Sequence, residues 1–233
     1  MAGAKAFISD WAQLHHLKDV LRLKVKDEVE IADSAGNCYA GVITAIGKKQ
    51  AEVRVALKEA AREAAVILTI ACAIPKGGRF DDTVDFLTQL GVERIIPMRT
   101  ERVVVKLDDI KAAEKHRRWL KIAQSAAQQS RRNKVPDIGP VTDFKDIVSG
   151  AKDYGLKLIP HLTGERKPIR EILGESPAKN IIVLIGPEGD FTPEEVALAL
   201  DNGFLPVSLG DTVLRVAAAA IAVAGYIKLG VGD

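Results

Sequence analysis

Residues 181–195 read Ile-Ile-Val-Leu-Ile-Gly-Pro-Glu-Gly-Asp-Phe-Thr-Pro-Glu-Glu, and few folds can accommodate that string. Five consecutive aliphatic residues offer no polar face to solvent, so they predict a strand covered on both sides. Gly186 and Gly189 end the run. Thr192 and Glu195 then form a capping-box pair with Pro193 at the first helical position, so a helix starts at once. A buried strand, a glycine loop and a helix start make the turn found at the carboxyl edge of a parallel α/β sheet, where ligands bind. No lysine follows the glycines, and Glu188, Asp190, Glu194 and Glu195 would repel a phosphate. The loop suits a neutral or cationic ligand held by backbone groups; a tight turn that only caps its helix is the alternative.

The flanking chain supplies the rest of such a sheet. Val66–Ile74 is a second apolar run, broken only by Thr69, followed by Lys76-Gly-Gly-Arg79 and a helix over about 81–90 with Gly91 at its C-terminal cap. Strands are predicted at Ile95–Met98, Leu156–Pro160, Ile181–Ile185 and Leu205–Leu209, with a long helix over about 109–130 and others between the strands. Before residue 66 the pattern differs. A short helix at His15–Leu23 precedes strand-like runs at Val29–Ala32, Cys38–Ile46 and Ala51–Leu57, separated by turn signals. That spacing predicts a small β-barrel over residues 1–68 and an α/β domain over 69–233.

Charge is uneven. Residues 99–134 carry 11 basic and 4 acidic groups, whereas residues 1–98 balance at 13 each and 135–233 carry 9 and 14. The basic segment attracts polyanions by counterion release, or else it is a solvated helix face. Cys38 and Cys72 fit no metal-ligand spacing, which predicts reduced thiols, no metal and a cytoplasmic setting. Met1–Asp10 lacks the apolar stretch of a signal peptide, and the most apolar run, Val216–Ile227, is too short to span a bilayer. Membrane function is therefore not expected.

A second loop, Ser208-Leu-Gly-Asp-Thr-Val-Leu-Arg215, also follows a strand and precedes an Ala-rich helix. Ile-Gly-Pro-Glu-Gly-Asp190 followed by this loop resembles the cofactor signature of the SPOUT methyltransferases, whose parallel sheet is tied in a trefoil knot. His15-His-Leu-Lys-Asp-Val-Leu-Arg22, Lys76–Asp82 with Leu90–Pro97, and Arg118–Arg132 leading to Pro136 extend the likeness in order. Together the five segments resemble the ribosomal RNA small subunit methyltransferase E family, enzymes that methylate N3 of a uridine in 16S rRNA.

The resemblance implies an S-adenosylmethionine-dependent RNA methyltransferase, a homodimer with an N-terminal PUA-like barrel, acting on 16S rRNA or the 30S subunit. It assigns Leu184, Gly186, Glu188, Gly189, Leu209, Gly210 and Leu214 to the cofactor pocket, with His161 and Leu162 as a third knot loop. Arg215 is the expected catalytic cation, since uridine N3 must lose a proton and the resulting anion needs a positive partner. Arg22, Lys76, Arg79, Arg102, Arg117, Arg118, Arg131 and Arg132 are the expected RNA contacts. Four departures stand out: Val216-Ala-Ala-Ala219 replaces the usual Thr-Glu-Thr-Ala, Gln89 a glutamate, and Arg131 and Asp190 each a glycine. If the absent glutamate served catalysis, another RNA position or an RNA-binding protein without activity becomes the alternative; if it served packing, alanine fills its space.

Overall fold

The computed structural model describes residues 4–33, 35–60, 64–75, 80–102, 108–162 and 164–230. The chain forms two compact units, divided after Glu63.

In the first unit β1 (Ala4–Ile8) is followed by α1 (Trp11–His15), which runs on as a π-helical turn through Val20. β2 (Glu28–Ala32), β3 (Cys38–Ile46) and β4 (Ala51–Glu59) complete an antiparallel sheet in the order β1-β4-β3-β2. Ile43, Val53 and Val55 alternate onto one face and pack with Leu14 and Leu17 of the helical segment. β1 has no counterpart in the sequence-based expectation, because Ala4-Lys-Ala-Phe-Ile carries little β-branched signal and depends on pairing with β4. The helix also begins four residues earlier than its periodicity indicates, because the Asp10 carboxylate accepts the Gln13 N–H at 2.9 Å and nucleates it there.

The second unit contains β5 (Ile67–Ala73), α2 (Phe80–Gln89), β6 (Arg94–Arg99), α3 (Asp109–Gln129), β7 (Asp137–Ile138), β8 (Thr142–Asp143) and α4 (Phe144–Gly150). β9 (Leu156–Pro160), β10 (Lys167–Pro168), α5 (Ile169–Glu175), β11 (Asn180–Ile185), α6 (Pro193–Asp201), β12 (Leu205–Ser208) and α7 (Val216–Gly230) follow. All strands of this sheet pair in parallel, in the order β10-β12-β9-β11-β5-β6-β7, with β8 also on β6. β11 is apolar on both faces for the reason its sequence indicates. Ile181, Val183 and Ile185 join Phe80, Trp119 and Val223 in one core, while Ile182 and Leu184 meet Phe144, Ala199 and Phe204 in the other.

β12 lies between β9 and β10, so the connection from β9 to β10 crosses the carboxyl end of β12. The chain leaving β12 passes that connection to reach α7, which packs on β5, β11 and α2. This is the mostly parallel sheet that was expected.

A nearly buried ion pair fastens the far end of α7. Lys228 Nζ donates to Glu93 Oε1 at 2.7 Å and to the Val66 carbonyl at 2.8 Å, and Glu93 Oε2 accepts the Leu68 N–H at 2.8 Å. Removing one partner strands a charge between β5 and α7. Lys228→Ala should therefore cost about 3 kcal/mol, read as a lower urea midpoint for the C-terminal unit at unchanged slope.

Candidate functional site

Because β12, β9 and β11 are adjacent and parallel, the loops that leave them converge at one edge of the sheet. They enclose an open cleft of about 600 Å3, counting the solvent at its mouth. Of the expected cofactor residues, His161, Leu162, Gly186, Glu188, Leu209, Gly210 and Leu214 line it. Leu184 does not. It is fully buried in the core behind the sheet, and strand alternation turns Ile185 toward the cleft instead. Gly189 is also outside the lining and backs onto the Arg102 side chain.

The two cleft glycines answer different needs. A Cβ on Gly186 would meet the Phe191 ring at 3.0 Å, so that position is held small by packing. Gly210 has open space but φ of +118°, a conformation that other residues rarely adopt. The sequence reading did not include Pro160, Arg166, Asp190, Ser208, Thr212 or Val213, which also line the cleft. Only the loop fold brings them there.

Asp190 is the most informative of these. Its φ is +58°, so it occupies the left-handed position for which glycine is suited. Its Oδ2 accepts the Leu162 N–H and its Oδ1 the Phe191 N–H, both at 2.9 Å. The carboxylate thus ties the β11 loop to the β9 loop. Arg166 donates to the His161 carbonyl at 2.7 Å and closes the β9 loop on itself. Behind the β11 loop, the capping box is complete: Thr192 accepts the Glu195 N–H, and Glu195 Oε2 accepts the Thr192 N–H. Glu195 Oε1 also accepts the Glu101 N–H at 2.9 Å, which anchors the loop to the end of β6.

His161 is 9% exposed, and neither ring nitrogen has a hydrogen-bond partner. Burial lowers its pKa, so the imidazole facing the cleft is neutral at physiological pH. A neutral ring offers one donor and one acceptor, a match for a nucleoside edge. With Glu188 and Asp190 also lining the cleft, its polar groups suit a cationic nucleoside better than a phosphate. Among the described residues there is no cluster of groups that could hold a metal ion.

The expected RNA-contacting cations are not equivalent. Arg22, Arg117 and Arg131 are exposed, and Arg118 is exposed while paired with Asp81. Arg132 requires correction: it is half-buried, and its guanidinium donates to the Thr88 carbonyl at 2.6 Å and the Val92 carbonyl at 3.4 Å, closing the end of α2. Arg102 likewise donates to the carbonyls of Gly189 and Phe191 and braces the β11 loop. Lys76 and Arg79 lie outside the described residues. Arg215 is exposed at the start of α7, beside the cleft and not in its lining.

Two tests follow from this geometry. Asp190→Gly relaxes the backbone but releases the Leu162 amide, so calorimetry should show about ten-fold weaker S-adenosylhomocysteine binding without a lower melting temperature. Asp190→Asn, which tolerates the left-handed region and keeps an acceptor, should bind within about two-fold of the parent. For His161 the lowered pKa fixes the sign of a pH effect. The unfolded chain takes up this proton first, so the contribution is whole above about pH 6.5 and is lost as pH falls toward the folded value. His161→Phe should flatten that acid limb in melting experiments.

The chain matches the RNA methyltransferase domain family over residues 62–228 and the RNA methyltransferase PUA domain family over residues 8–56. It is 33% identical to ribosomal RNA small subunit methyltransferase E of Synechocystis sp., over 88% of this chain and 66% of that longer protein. The Rickettsia conorii protein of the same name is 30% identical over 93% of this chain and 86% of its own length. A methyltransferase from Legionella pneumophila, solved with bound S-adenosylmethionine, superposes with a TM-score of 0.85 at 32% identity, covering 99% of this chain and 93% of that one. Ribosomal RNA small subunit methyltransferase E from Neisseria gonorrhoeae, also bound to S-adenosylmethionine, gives 0.84 at 28% identity, over 98% and 93%. The chain belongs to the ribosomal RNA small subunit methyltransferase E family of RNA methyltransferases.

Proposed function

We propose that this protein transfers the methyl group of S-adenosylmethionine to N3 of a uridine in 16S rRNA of the small ribosomal subunit. The observation that carries the reading is the three-loop cleft, with the unpartnered imidazole of His161 among its backbone donors and acceptors. The cofactor supplies an electrophilic methyl group. Main-chain groups at 186–188 and 209–214, with His161, would hold the adenosyl portion, while Glu188 and Asp190 offset its positive charge. Fixing acceptor, methyl and sulfur in line is worth about 7–11 kcal/mol in favourable cases.

Arg215 acts at the other partner. Its guanidinium is exposed, has no ion pair with a described residue, and stands at the start of α7, whose first turn contains no acidic residue. Helix dipole and guanidinium thus add in the same sense. Their field lowers the pKa of a bound uridine N3–H and holds the resulting anion at its carbonyl oxygens.

The N-terminal unit and exposed Arg117, Arg118 and Arg131 would contact RNA, and a second copy would cover the exposed apolar residues Val213, Tyr226 and Leu229 around α7. No described helix is long and apolar enough to cross a membrane.

Incubation with methyl-labelled S-adenosylmethionine and either 30S particles or free 16S rRNA, followed by nucleoside mass spectrometry, tests the proposal. Label in 3-methyluridine supports it, whereas label in a ribose, or none in either substrate, sinks it. Arg215→Ala should lower kcat about 100-fold or more and leave S-adenosylhomocysteine affinity within about two-fold.

A further inference from the structure

Trp11 is 77% exposed, although tryptophan side chains ordinarily bury most of their area. Its indole lies flat on the imidazole of His15, with centroids 5.3 Å apart and planes within 3°. The i,i+4 spacing sets this pair on one face of the helix, while Leu14 and Leu17 point into the core of the N-terminal unit. Asp19 Oδ2 meets His15 Nδ1 at 2.6 Å, so the imidazole is braced at its edge while Trp11 covers one of its faces. A flat aromatic shelf is therefore ordered before anything binds it, at the surface of the protein.

Cations follow the shelf closely in the chain: Arg22, Lys24 and Lys26, and Lys18, whose ammonium reaches the Gly47 carbonyl at 3.4 Å. Of the nearby carboxylates Asp19 is committed to His15, Asp10 accepts the Gln13 N–H and Asp27 accepts the Lys24 N–H. Arg22 and Lys26 hold positive φ, +54° and +83°, strain that a side chain rarely accepts and that clusters at binding sites. The helical segment of ten residues, five of them in the π-helical turn, is no longer than about 15 Å. Shelf and cationic turn thus lie within the span of a short single strand.

We propose that Trp11 and His15 form a stacking platform for an unpaired base of RNA, with Lys18, Arg22, Lys24 and Lys26 along its phosphates. The proposal rests on the reading of the substrate as RNA and adds which surface of the N-terminal unit takes it and how. Aromatic faces stack on any base, and cations follow the backbone, so this surface binds single strands with little sequence preference. A second copy of the chain is a poorer occupant, because the cationic turn would face its own like charge.

The test uses the full protein and an oligouridylate of about ten nucleotides, within the ~4–16 that such surfaces cover. Trp119, the other tryptophan, is 1% exposed in the C-terminal unit, so quenching of the exposed indole reports on Trp11. Binding should quench that emission. By anisotropy of labelled RNA, Trp11→Ala should weaken affinity roughly 5- to 150-fold with the salt slope unchanged, and Trp11→Phe by about three-fold or less. Charge reversal at Lys24 and Lys26 should instead flatten the salt slope. Equal RNA affinity of Trp11→Ala and the parent overturns the proposal, as does a Trp11→Ala variant that loses only self-association in sedimentation. S-adenosylhomocysteine binding by each variant checks that the C-terminal unit is folded. A parent protein that binds S-adenosylhomocysteine but no RNA defeats the substrate reading together with this one.

Discussion

The insertion of β12 between β9 and β10 is the constraint on which the rest of the C-terminal unit depends. Because parallel strands end at the same edge, placing β12, β9 and β11 side by side brings three loops far apart in sequence to one cleft. The same insertion forces the chain out of β12 past the β9–β10 connection, and α7 can then pack on β5 and α2. A cleft built this way has walls tied to the hydrophobic core. Ile185 and Val216 belong both to that core and to the cleft lining. Little can shift at the site without disturbing packing, which is the preorganisation that an in-line methyl transfer requires.

Local strain is kept where this rigid frame can support it. Asp190 and Arg131 both adopt left-handed backbone, at +58° and +55°, a region better suited to glycine. At Asp190 a carboxylate that accepts two backbone N–H groups offsets the cost and joins two loops that glycine would leave unlinked. At Arg131 the turn is closed by backbone bonds, Arg131 N to the Gln128 carbonyl and Arg132 N to the Ala127 carbonyl. No side-chain reason for arginine there is visible.

Charge counting gave only part of the picture. The excess of cations in residues 99–134 suggests a broad RNA-binding surface, yet Arg102 and Arg132 each commit one guanidinium nitrogen to carbonyls, at the β11 loop and at the end of α2. Composition cannot distinguish these roles, because a guanidinium donates equally well to a phosphate oxygen and to a peptide carbonyl.

Much of the architecture was legible in order along the chain. The apolar runs of β5 and β11, the Thr192–Glu195 capping box, Gly91 at the C-terminal end of α2 and the glycine loops all follow from near-neighbour rules of sterics, hydrogen bonding and burial. Those rules operate over a few residues, so a sequence displays them. The two-residue strands, the alternation that turns Ile185 and not Leu184 toward the cleft, and β1 depend on partners many residues away. So do the Asp190–Leu162 tie, the unpartnered ring of His161 and the carbonyls that claim Arg102 and Arg132. Local pattern determined the elements and the chemistry of each loop. The threading of the sheet decided which loops meet and which side chains remain free, because only tertiary contact settles how a buried polar group is satisfied.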